Sequence, residues 1–273
     1  MRKYSVVIPM YNSEKTITNA LNSIYQQTKL DLIDEIIVVD DGSNDRSYSI
    51  VEKYNADKQK PTIRLLKKEN GGAASARNLG IKNAVNDFVA LLDADDVWEN
   101  NKIEIQNNVL EKNDFIKALG SNRKGETLTK GEQFNSEVYK ISALQYCMKN
   151  WPCTPSIVFD RKVFNGVNPF PENMTHAEEG LFFLYLANNV GLYYCVEELV
   201  YCGDGKPSFG YSGLSGNLKK MHKGVKKMHQ EAYKRKYFNL FMYYFVQLFE
   251  DIKYIRRKII IQKTKQIRRN KNG

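Results

Sequence analysis

Residues 87–96 read Asp-Phe-Val-Ala-Leu-Leu-Asp-Ala-Asp-Asp, an apolar run that ends in an acidic turn. Five consecutive apolar residues without alternation predict a strand buried on both faces, as in a parallel sheet covered by helices. Similar apolar runs occur at 4–9, 35–39 and 62–66, and each is followed by a segment with helical spacing. The alternation predicts an α/β fold with a mostly parallel central sheet flanked by helices.

Helices are predicted between these strands, over 13–27, from residue 43 to about Tyr54, and over 73–85. Ser13 and Ser43 stand where helix N-caps are expected. The rest of the chain is less regular. There the pattern predicts a helix after residue 97, a polar loop at 120–131, strands at 156–159, 192–196 and 198–201, and a helix at 181–187.

Polar residues follow three of the predicted strands where ligands of such sheets bind, at the carboxyl ends of the strands. The first strand is followed by Tyr11, the second by Asp41 and the fourth by Asp93 and Asp95. Two carboxylates at i, i+2 on one turn repel each other, and a hard divalent cation shared with a phosphate ligand removes that repulsion. The pattern predicts Mn²⁺ or Mg²⁺; the alternative is a loop of solvated aspartates with Asp96 as a helix cap.

A glycine-rich segment, residues 70–80, reads Asn-Gly-Gly-Ala-Ala-Ser-Ala-Arg-Asn-Leu-Gly. It matches neither the dinucleotide-binding G-x-G-x-x-G pattern nor the phosphate-binding P-loop. Its small residues predict close approach of a helix to the sheet, with Arg77 and Asn78 directed at the ligand. Arg77 offers a fork of donors for a uracil carbonyl or a phosphate; the alternative is a salt bridge to one of the strand-end aspartates.

Four motifs, taken in order, resemble those of the family 2 glycosyltransferases. They are Val-Val-Ile-Pro-Met-Tyr-Asn at 6–12, Ile-Ile-Val-Val-Asp-Asp-Gly-Ser at 36–43, Gly-Gly-Ala-Ala-Ser-Ala-Arg-Asn-Leu-Gly-Ile at 71–81, and Leu-Leu-Asp-Ala-Asp-Asp at 91–96. The likeness covers roughly 4–105 and resumes weakly near 150–200. It implies the glycosyltransferase A fold, which is Rossmann-like and binds nucleotides, and an inverting, nucleotide-sugar-dependent transferase of the hexosyltransferase type.

The resemblance also implies roles for individual residues. The sugar donor would be bound by Pro9, Tyr11, Asn12, Asp41, Arg77, Asn78, Asp93 and Ala94, and the metal by Asp95 with Asp93. The family's catalytic Glu-Asp pair corresponds to Glu178 and Glu179, so the second acid is one methylene longer here. Glu179 is the expected base that takes the acceptor's proton; the alternative is an acidic first turn stabilised by the helix dipole.

Charge is unevenly distributed along the chain. Residues 219–273 hold 17 Lys or Arg against 3 Asp or Glu, whereas residues 1–218 hold 24 against 28. Basic clusters flank an aromatic segment at 237–249, which favours an anionic membrane surface as partner; the alternative is a helix packed on the body. Nucleic acid is disfavoured because no RNP-like, zinc-finger or basic-zipper pattern occurs.

Two further features limit the class of protein. No stretch approaches the roughly 18–20 consecutive apolar residues of a membrane span. The four cysteines form no C-x-x-C pair and are interpreted as reduced cytosolic thiols rather than a disulfide frame or a zinc site.

These features predict a chain of three parts: a nucleotide-sugar-binding half at 1–105, an acceptor-binding half at 106–216, and a basic aromatic helical tail at 217–273. In the second half, Trp151 is expected to stack on a sugar or to pack in the core, and a loop at 206–216 to close over the substrates. The expected function is transfer to a saccharide or lipid-linked saccharide in surface-polysaccharide synthesis, at the inner face of the cell membrane. The alternatives are a nucleotidyltransferase, whose triphosphate loop is missing from 10–15, and a non-catalytic nucleotide- or membrane-binding protein.

Overall fold

The described part of the chain forms one sheet covered by helices. The computed structural model describes residues 2–56, 61–125, 132–133, 138–149, 152–203 and 217–271. Its strands are β1 (Tyr4–Met10), β2 (Ile33–Asp40), β3 (Thr62–Lys67), β4 (Phe88–Leu91), β5 (Val97–Trp98), β6 (Ala118–Arg123), β7 (Glu132–Gln133), β8 (Val138–Ile141), β9 (Val158–Asp160) and β10 (Leu192–Tyr201). Its α-helices are α1 (Ile17–Tyr25), α2 (Ser47–Ala56), α3 (Ala73–Asn83), α4 (Lys102–Lys112), α5 (Ala143–Lys149), α6 (Glu178–Asn189), α7 (Leu218–Lys234) and α8 (Leu240–Lys271).

The first four long strands lie in the order β3-β2-β1-β4 and are parallel throughout. All seven residues of β1 are buried, which is why its sequence is apolar without alternation. The predicted parallel α/β arrangement is confirmed for this half of the chain. Because the strands are parallel, their carboxyl ends lie along one edge of the sheet, and the residues that follow them meet there.

The second half of the sheet is mixed. The strand β9 runs antiparallel to both β4 and β6, and β10 runs parallel to β6 but antiparallel to β5 and β8. The prediction of a loop from residue 120 was wrong for 120–123, which complete β6. Their polar side chains are accommodated because Asn122 Nδ2 donates to the carbonyl of Val196 at 2.6 Å. The two predicted closing strands are one strand, β10.

The helix α3 packs unusually close to the sheet. A Cβ added at Gly80 would lie 2.4 Å from Val7 Cγ1 and 3.3 Å from Val39 Cγ2. This contact confirms the predicted close approach, since a side chain at Gly80 would push the helix away from β1 and β2. The start of α3 is therefore held at the carboxyl edge of the sheet.

The helical tail predicted for 217–273 consists of two helices, α7 and α8, and both pack on the body. Val225, Met228 and Ala232 of α7 and Val246 of α8 belong to the main hydrophobic core, together with Phe238 between the helices. Within the ranges that the structure describes, no helix combines the length and the apolar character that a membrane crossing needs.

Candidate active site

A cavity of about 1050 Å³ opens at the carboxyl edge of the parallel strands. Its volume is in the range of sites that hold small molecules and cofactors. It is bounded by residues 9–16 after β1, by Asp41, Asp45, Asn70, Gly72, Ala73, Ala76 and Arg77, by 93–95 after β4, by 176–179 at the start of α6, and by Gly203 and Met221. Both halves of the chain and α7 therefore contribute to one site.

The loop after β1 presents Pro9, Tyr11 and Asn12 to the cavity. Asn12 has a left-handed backbone (φ 49°), which asparagine tolerates better than most residues. Its amide N–H donates to Ser43 Oγ at 3.0 Å. Ser43 thus ties the loops after β1 and β2 together instead of capping α2, whose first residue, Ser47, donates its N–H to Asp45 at 2.9 Å. Tyr11 is 48% exposed, so its ring is available to a planar group in the cavity.

Asp41 is buried and organises the turn that leads into α3. Its carboxylate accepts hydrogen bonds from the N–H groups of Gly71 at 3.0 Å and Gly72 at 2.7 Å, and from Lys68 Nζ at 2.7 Å. Gly72 has φ +89°, a conformation that a residue with a Cβ rarely adopts. The positive end of the α3 dipole consequently lies at the cavity, where it favours an anionic group.

Sequence reasoning missed Lys68, although the signal was available. This residue follows the carboxyl end of β3, just as Asp41 follows that of β2. Ligands of parallel sheets bind at the carboxyl ends of the strands, and this rule predicts a role for Lys68 as well as for the aspartates.

Arg77 joins the two halves of the site. Its buried guanidinium donates to Asp93 Oδ1 at 2.7 Å and to Glu178 Oε1 at 3.4 Å. Burial alone would lower the pKa of Arg77, but the charges of Asp93 and Glu178 outweigh it and hold the pKa above its usual value. The salt bridge to a strand-end aspartate, which the sequence left as an alternative, is what the structure contains.

Asn78 has a different role from the predicted one. Its side chain is buried, donates to the carbonyl of Phe170 at 2.8 Å and to Glu172 at 2.9 Å, and accepts from the N–H of Phe170 at 3.0 Å. Asn78 is not among the residues that line the cavity, since its side chain is held by Phe170 and Glu172 instead. It anchors the segment that leads to α6. Trp151 and the loop at 206–216 lie outside the described residues.

The acidic turn after β4 divides its carboxylates between two surroundings. Asp93, Ala94 and Asp95 line the cavity, whereas Asp96 is buried and accepts from the N–H of Gly203 at 2.8 Å. Burial, followed by repulsion from Asp93 and Asp95, raises the pKa of Asp96 to about 9. Since β5 follows directly, Asp96 caps no helix. With its raised pKa, Asp96 is protonated near neutral pH. The carboxylates that the turn offers to a cation in the cavity are Asp93, which also pairs with Arg77, and Asp95.

These carboxylates fit a divalent ion that is completed by its substrate. Oxygen ligands on one turn suit Mg²⁺ or Mn²⁺. Among the residues that the structure describes, no group of three or more acidic, histidine or cysteine side chains is arranged to hold a metal. Such an ion would take its other ligands from phosphate and water, as magnesium commonly does.

Glu178 and Glu179 occupy the first turn of α6, directly after Ala177, whose backbone is left-handed (φ 57°). The helix begins at Glu178, earlier than predicted. Glu178 is buried beside Arg77, whereas Glu179 is partly buried. Both glutamates line the cavity. Burial and the adjacent Glu178 raise the pKa of Glu179 to about 7. A carboxyl with a pKa near neutrality is suited to general base catalysis.

The contribution of α7 was not predicted. Met221 lines the cavity, and a Cβ added at Gly224 would lie 2.6 Å from His176 Cβ and 2.7 Å from the His176 carbonyl oxygen. The helix therefore rests directly against the turn that carries Glu178 and Glu179. A glycine inside a predicted helix was the available signal, because it often marks a packing requirement.

Three known proteins are similar to this chain in sequence. WfgD of Escherichia coli, a UDP-Glc:α-D-GlcNAc-diphosphoundecaprenol β-1,3-glucosyltransferase, is 32% identical over 203 residues, covering 70% of this chain and 73% of its own length. TarS of Staphylococcus aureus, a poly(ribitol-phosphate) β-N-acetylglucosaminyltransferase, is 31% identical over 194 residues, covering 67% of this chain and 32% of TarS. This chain also spans 31% of the length of a Rickettsia felis glycosyltransferase that matches it.

Solved structures show the same fold. The structure of TarS 1–349 superposes with a TM-score of 0.63 at 23% identity, covering 84% of this chain and 65% of that one. The mannosyltransferase PcManGT of Pyrobaculum calidifontis, solved with GDP-Man and Mn²⁺, superposes with a TM-score of 0.63 at 20% identity, covering 86% and 65%. The family model described as glycosyl transferase family 2 matches residues 5–163. The family model matches more than half of the chain, and WfgD is 32% identical over most of its own length. The chain therefore belongs to glycosyl transferase family 2.

Proposed function

We propose that this chain transfers a sugar from a UDP-sugar to a saccharide or lipid-linked saccharide acceptor, with inversion, in the synthesis of a cell-surface polysaccharide. The observation that carries the proposal is that one cavity brings the acidic turn after β4 together with the glutamate pair of α6. The names of WfgD and TarS support a UDP-sugar donor and a surface-polymer or lipid-linked acceptor.

The strand-end loops are assigned to the sugar donor. Tyr11 would stack on the base, and Asp41 would hold the turn that presents the N-terminus of α3 to the diphosphate. Asp95, with Asp93, would hold Mn²⁺ or Mg²⁺, which when bound offsets the charge that develops on the diphosphate leaving group. Arg77 fixes the orientation of Asp93 through the 2.7 Å contact.

Glu179 is assigned as the general base and Glu178 as its positioning partner. The proximity of Arg77 keeps Glu178 in an ion pair, so Glu179, with its pKa of about 7, is better placed to accept a proton. Glu179 would take the proton from the acceptor hydroxyl as that oxygen attacks the anomeric carbon. Attack on the face opposite the diphosphate inverts the anomeric configuration.

The parts of the chain divide accordingly. Residues 1–105 are assigned to the nucleotide sugar and 106–216 to the acceptor, with Trp151 and the segment 206–216 on the acceptor side. The Arg77–Glu178 ion pair connects the two halves, since these residues are 101 positions apart.

Asp95 offers a direct test of the sugar-donor assignment. Titration calorimetry should show UDP binding that strengthens when Mn²⁺ is added, and D95N should lose that increment. Incubation with UDP-sugars and a lipid-linked acceptor should release UDP in the wild type, and D95N should not. Binding of UDP that is indifferent to both Mn²⁺ and D95N would contradict the assignment.

The helix α8 is assigned to an anionic membrane surface, at the inner face of the cell membrane. One face of α8 packs on the body, while the other exposes apolar side chains at intervals of three and four residues, at Phe241, Phe245, Leu248, Ile252, Ile255 and Ile259. Phe241 is 82% exposed and Leu248 61%. We call these six side chains the α8 stripe.

Basic residues accompany the stripe. Arg256 and Lys258 lie beside its last turns, and the helix continues through the basic residues of 263–271. Apolar side chains next to Lys and Arg suit a helix that lies in the headgroup region of an anionic bilayer. Such a position would bring the cavity near a lipid-linked acceptor. Co-sedimentation with vesicles that contain anionic lipid tests this assignment.

A further inference from the structure

Cys153 and Cys202 lie side by side, and Gly203, which follows Cys202, lines the cavity. Their Sγ atoms are 3.8 Å apart, within the range of a thiol–thiol hydrogen bond, although 49 positions separate them in the sequence. Both residues are half-buried, and both thiols are free. Because sulfur atoms in a disulfide are about 2.05 Å apart, closure requires them to approach by less than about 2 Å.

The backbone on each side of the pair is held in place. The carbonyl of Cys153 accepts from Ser156 N–H at 3.1 Å and from Ser156 Oγ at 2.7 Å. Next to Cys202, the N–H of Gly203 donates to Asp96 at 2.8 Å. Two anchored backbones keep the thiols adjacent, which raises the local concentration of one thiol around the other.

The surroundings of the pair favour a thiolate at Cys153. The hydrogen bond with Cys202 lowers the pKa of Cys153, and the charge of Arg123 acts in the same direction, while the pKa of Cys202 is raised. The thiolate is the nucleophile in thiol–disulfide exchange. Burial raises the pKa of Cys147 to about 12, and it raises the pKa of Cys195 as well. Since both thiols stay protonated, these two cysteines provide internal controls for thiol reactivity.

We propose that Cys153 and Cys202 form a redox-active dithiol that a low-molecular-weight disulfide, such as glutathione disulfide, oxidises to an intramolecular disulfide. The Cys153 thiolate attacks one sulfur of the small disulfide and releases one thiolate. Cys202 then loses its proton and attacks the Cys153 sulfur, forming the Cys153–Cys202 bond and releasing the second thiolate. The protein loses two electrons and two protons, and the small disulfide becomes two thiols.

Oxidation would act on the cavity through Gly203. This residue follows Cys202 directly and is part of the cavity wall. The cross-link would also close a 49-residue loop, which restricts the unfolded chain and stabilises the folded one.

Peptide mapping of the wild-type protein tests the dithiol. Folded, reduced protein is incubated with glutathione disulfide, free thiols are then blocked with N-ethylmaleimide, and the digest is analysed by mass spectrometry without reduction. We expect a linked peptide pair that contains Cys153 and Cys202, with Cys147 and Cys195 alkylated only after unfolding. We also expect the Tm to rise by about 5 °C or more and to return after reduction.

Two variants distinguish the Cys153–Cys202 cross-link from non-specific oxidation of cysteines. C153S should form no cross-link and show no rise in Tm, whereas C147S should behave as the wild type. The proposal is overturned if glutathione is found on Cys153 or Cys202 as a stable mixed disulfide without the cross-link. It is equally overturned if neither cysteine reacts in the folded wild-type protein.

Discussion

The guanidinium of Arg77 lies 3.4 Å from the carboxylate of Glu178, while burial beside that ion pair raises the pKa of Glu179 to about 7. Two neighbouring glutamates thus have different surroundings. At the scale of single residues, the environment rather than the residue type separates a positioning acid from a base. The sequence located both glutamates, and the family resemblance made Glu179 the expected base. The ion pair of Glu178 was not predicted, because its partner Arg77 lies 101 positions away.

Replacing Glu179 with glutamine removes the proposed proton acceptor and keeps the shape of the side chain. We expect turnover by E179Q to fall by roughly 10²–10⁴-fold, with UDP affinity unchanged. For the wild type, kcat/KM should rise with pH and level off above about 7, as Glu179 loses its proton. Steady-state kinetics from pH 5 to 9 provide the measurement. E52Q, which alters an exposed carboxylate on α2, is the matched control, and full activity in E179Q would exclude the assignment.

The raised pKa of Glu179 also predicts how the stability of the fold depends on pH. The pKa of Glu179 is raised in the folded protein from 4.5 to about 7. A raised pKa stabilises the fold below the unfolded value, and this contribution is lost as the pH rises through the folded value. E179Q should therefore gain Tm relative to the wild type between pH 4.5 and 7. Thermal unfolding of both proteins at pH 4.5 and pH 8 tests this prediction. A Tm difference that stays constant with pH would argue against the raised pKa of Glu179.

At the scale of elements, glycines set how closely helices approach the site. Gly80 allows α3 to contact Val7, and Gly224 allows α7 to contact His176. The first contact was predicted from a run of small residues. The second was not, because α7 and the turn before α6 are adjacent only in the folded chain. The predicted strands and helices of the first hundred residues are present, since their periodicity is local. The helices α1 and α2 begin at Ile17 and Ser47, four residues after the predicted starts, and Thr16 rather than Ser13 precedes α1 as its N-cap residue.

Gly224 offers a test of the role of α7. In G224A the new Cβ would meet the backbone of His176, so the turn that carries Glu178 and Glu179 must shift. We expect kcat to fall roughly 10–100-fold, because small displacements of catalytic groups are costly, while UDP affinity stays close to that of the wild type. K223A, at an exposed neighbouring position, is the control. Equal kcat for G224A and K223A would show that α7 does not position the turn.

At the scale of the whole molecule, the C-terminal region has two faces. Val246 and Phe238 belong to the core, whereas Phe241 and Leu248 are exposed. One face of the aromatic segment at 237–249 therefore packs on the body, and the other, exposed face is the one that we propose contacts an anionic membrane. The C-terminal region also differs from the body in charge, since residues 219–273 hold 17 Lys or Arg against 3 Asp or Glu and residues 1–218 hold 24 against 28.

Vesicle binding should depend on the α8 stripe and on salt. The triple variant F241S/L248S/I252S should bind anionic vesicles at least tenfold more weakly, because each buried apolar side chain contributes about 1.5–3 kcal/mol. Raising the ionic strength should weaken binding by the wild type. V85S/F115S/V167S, which alters exposed apolar residues elsewhere on the body, is the matched control. Equal binding by the two triple variants, measured by co-sedimentation, would exclude the stripe as the membrane contact.

The amino-acid sequence by itself determined the alternating strands and helices of residues 4–96, the carboxylates at the strand ends and the basic C-terminal region. These features follow from local periodicity and from the rule that parallel strands share a carboxyl edge. Tertiary structure decided that Arg77 pairs with Glu178, that Asn78 faces Phe170 instead of the cavity, and that polar residues 120–123 form a strand. Each of these outcomes depends on a partner far along the chain, which no local pattern specifies.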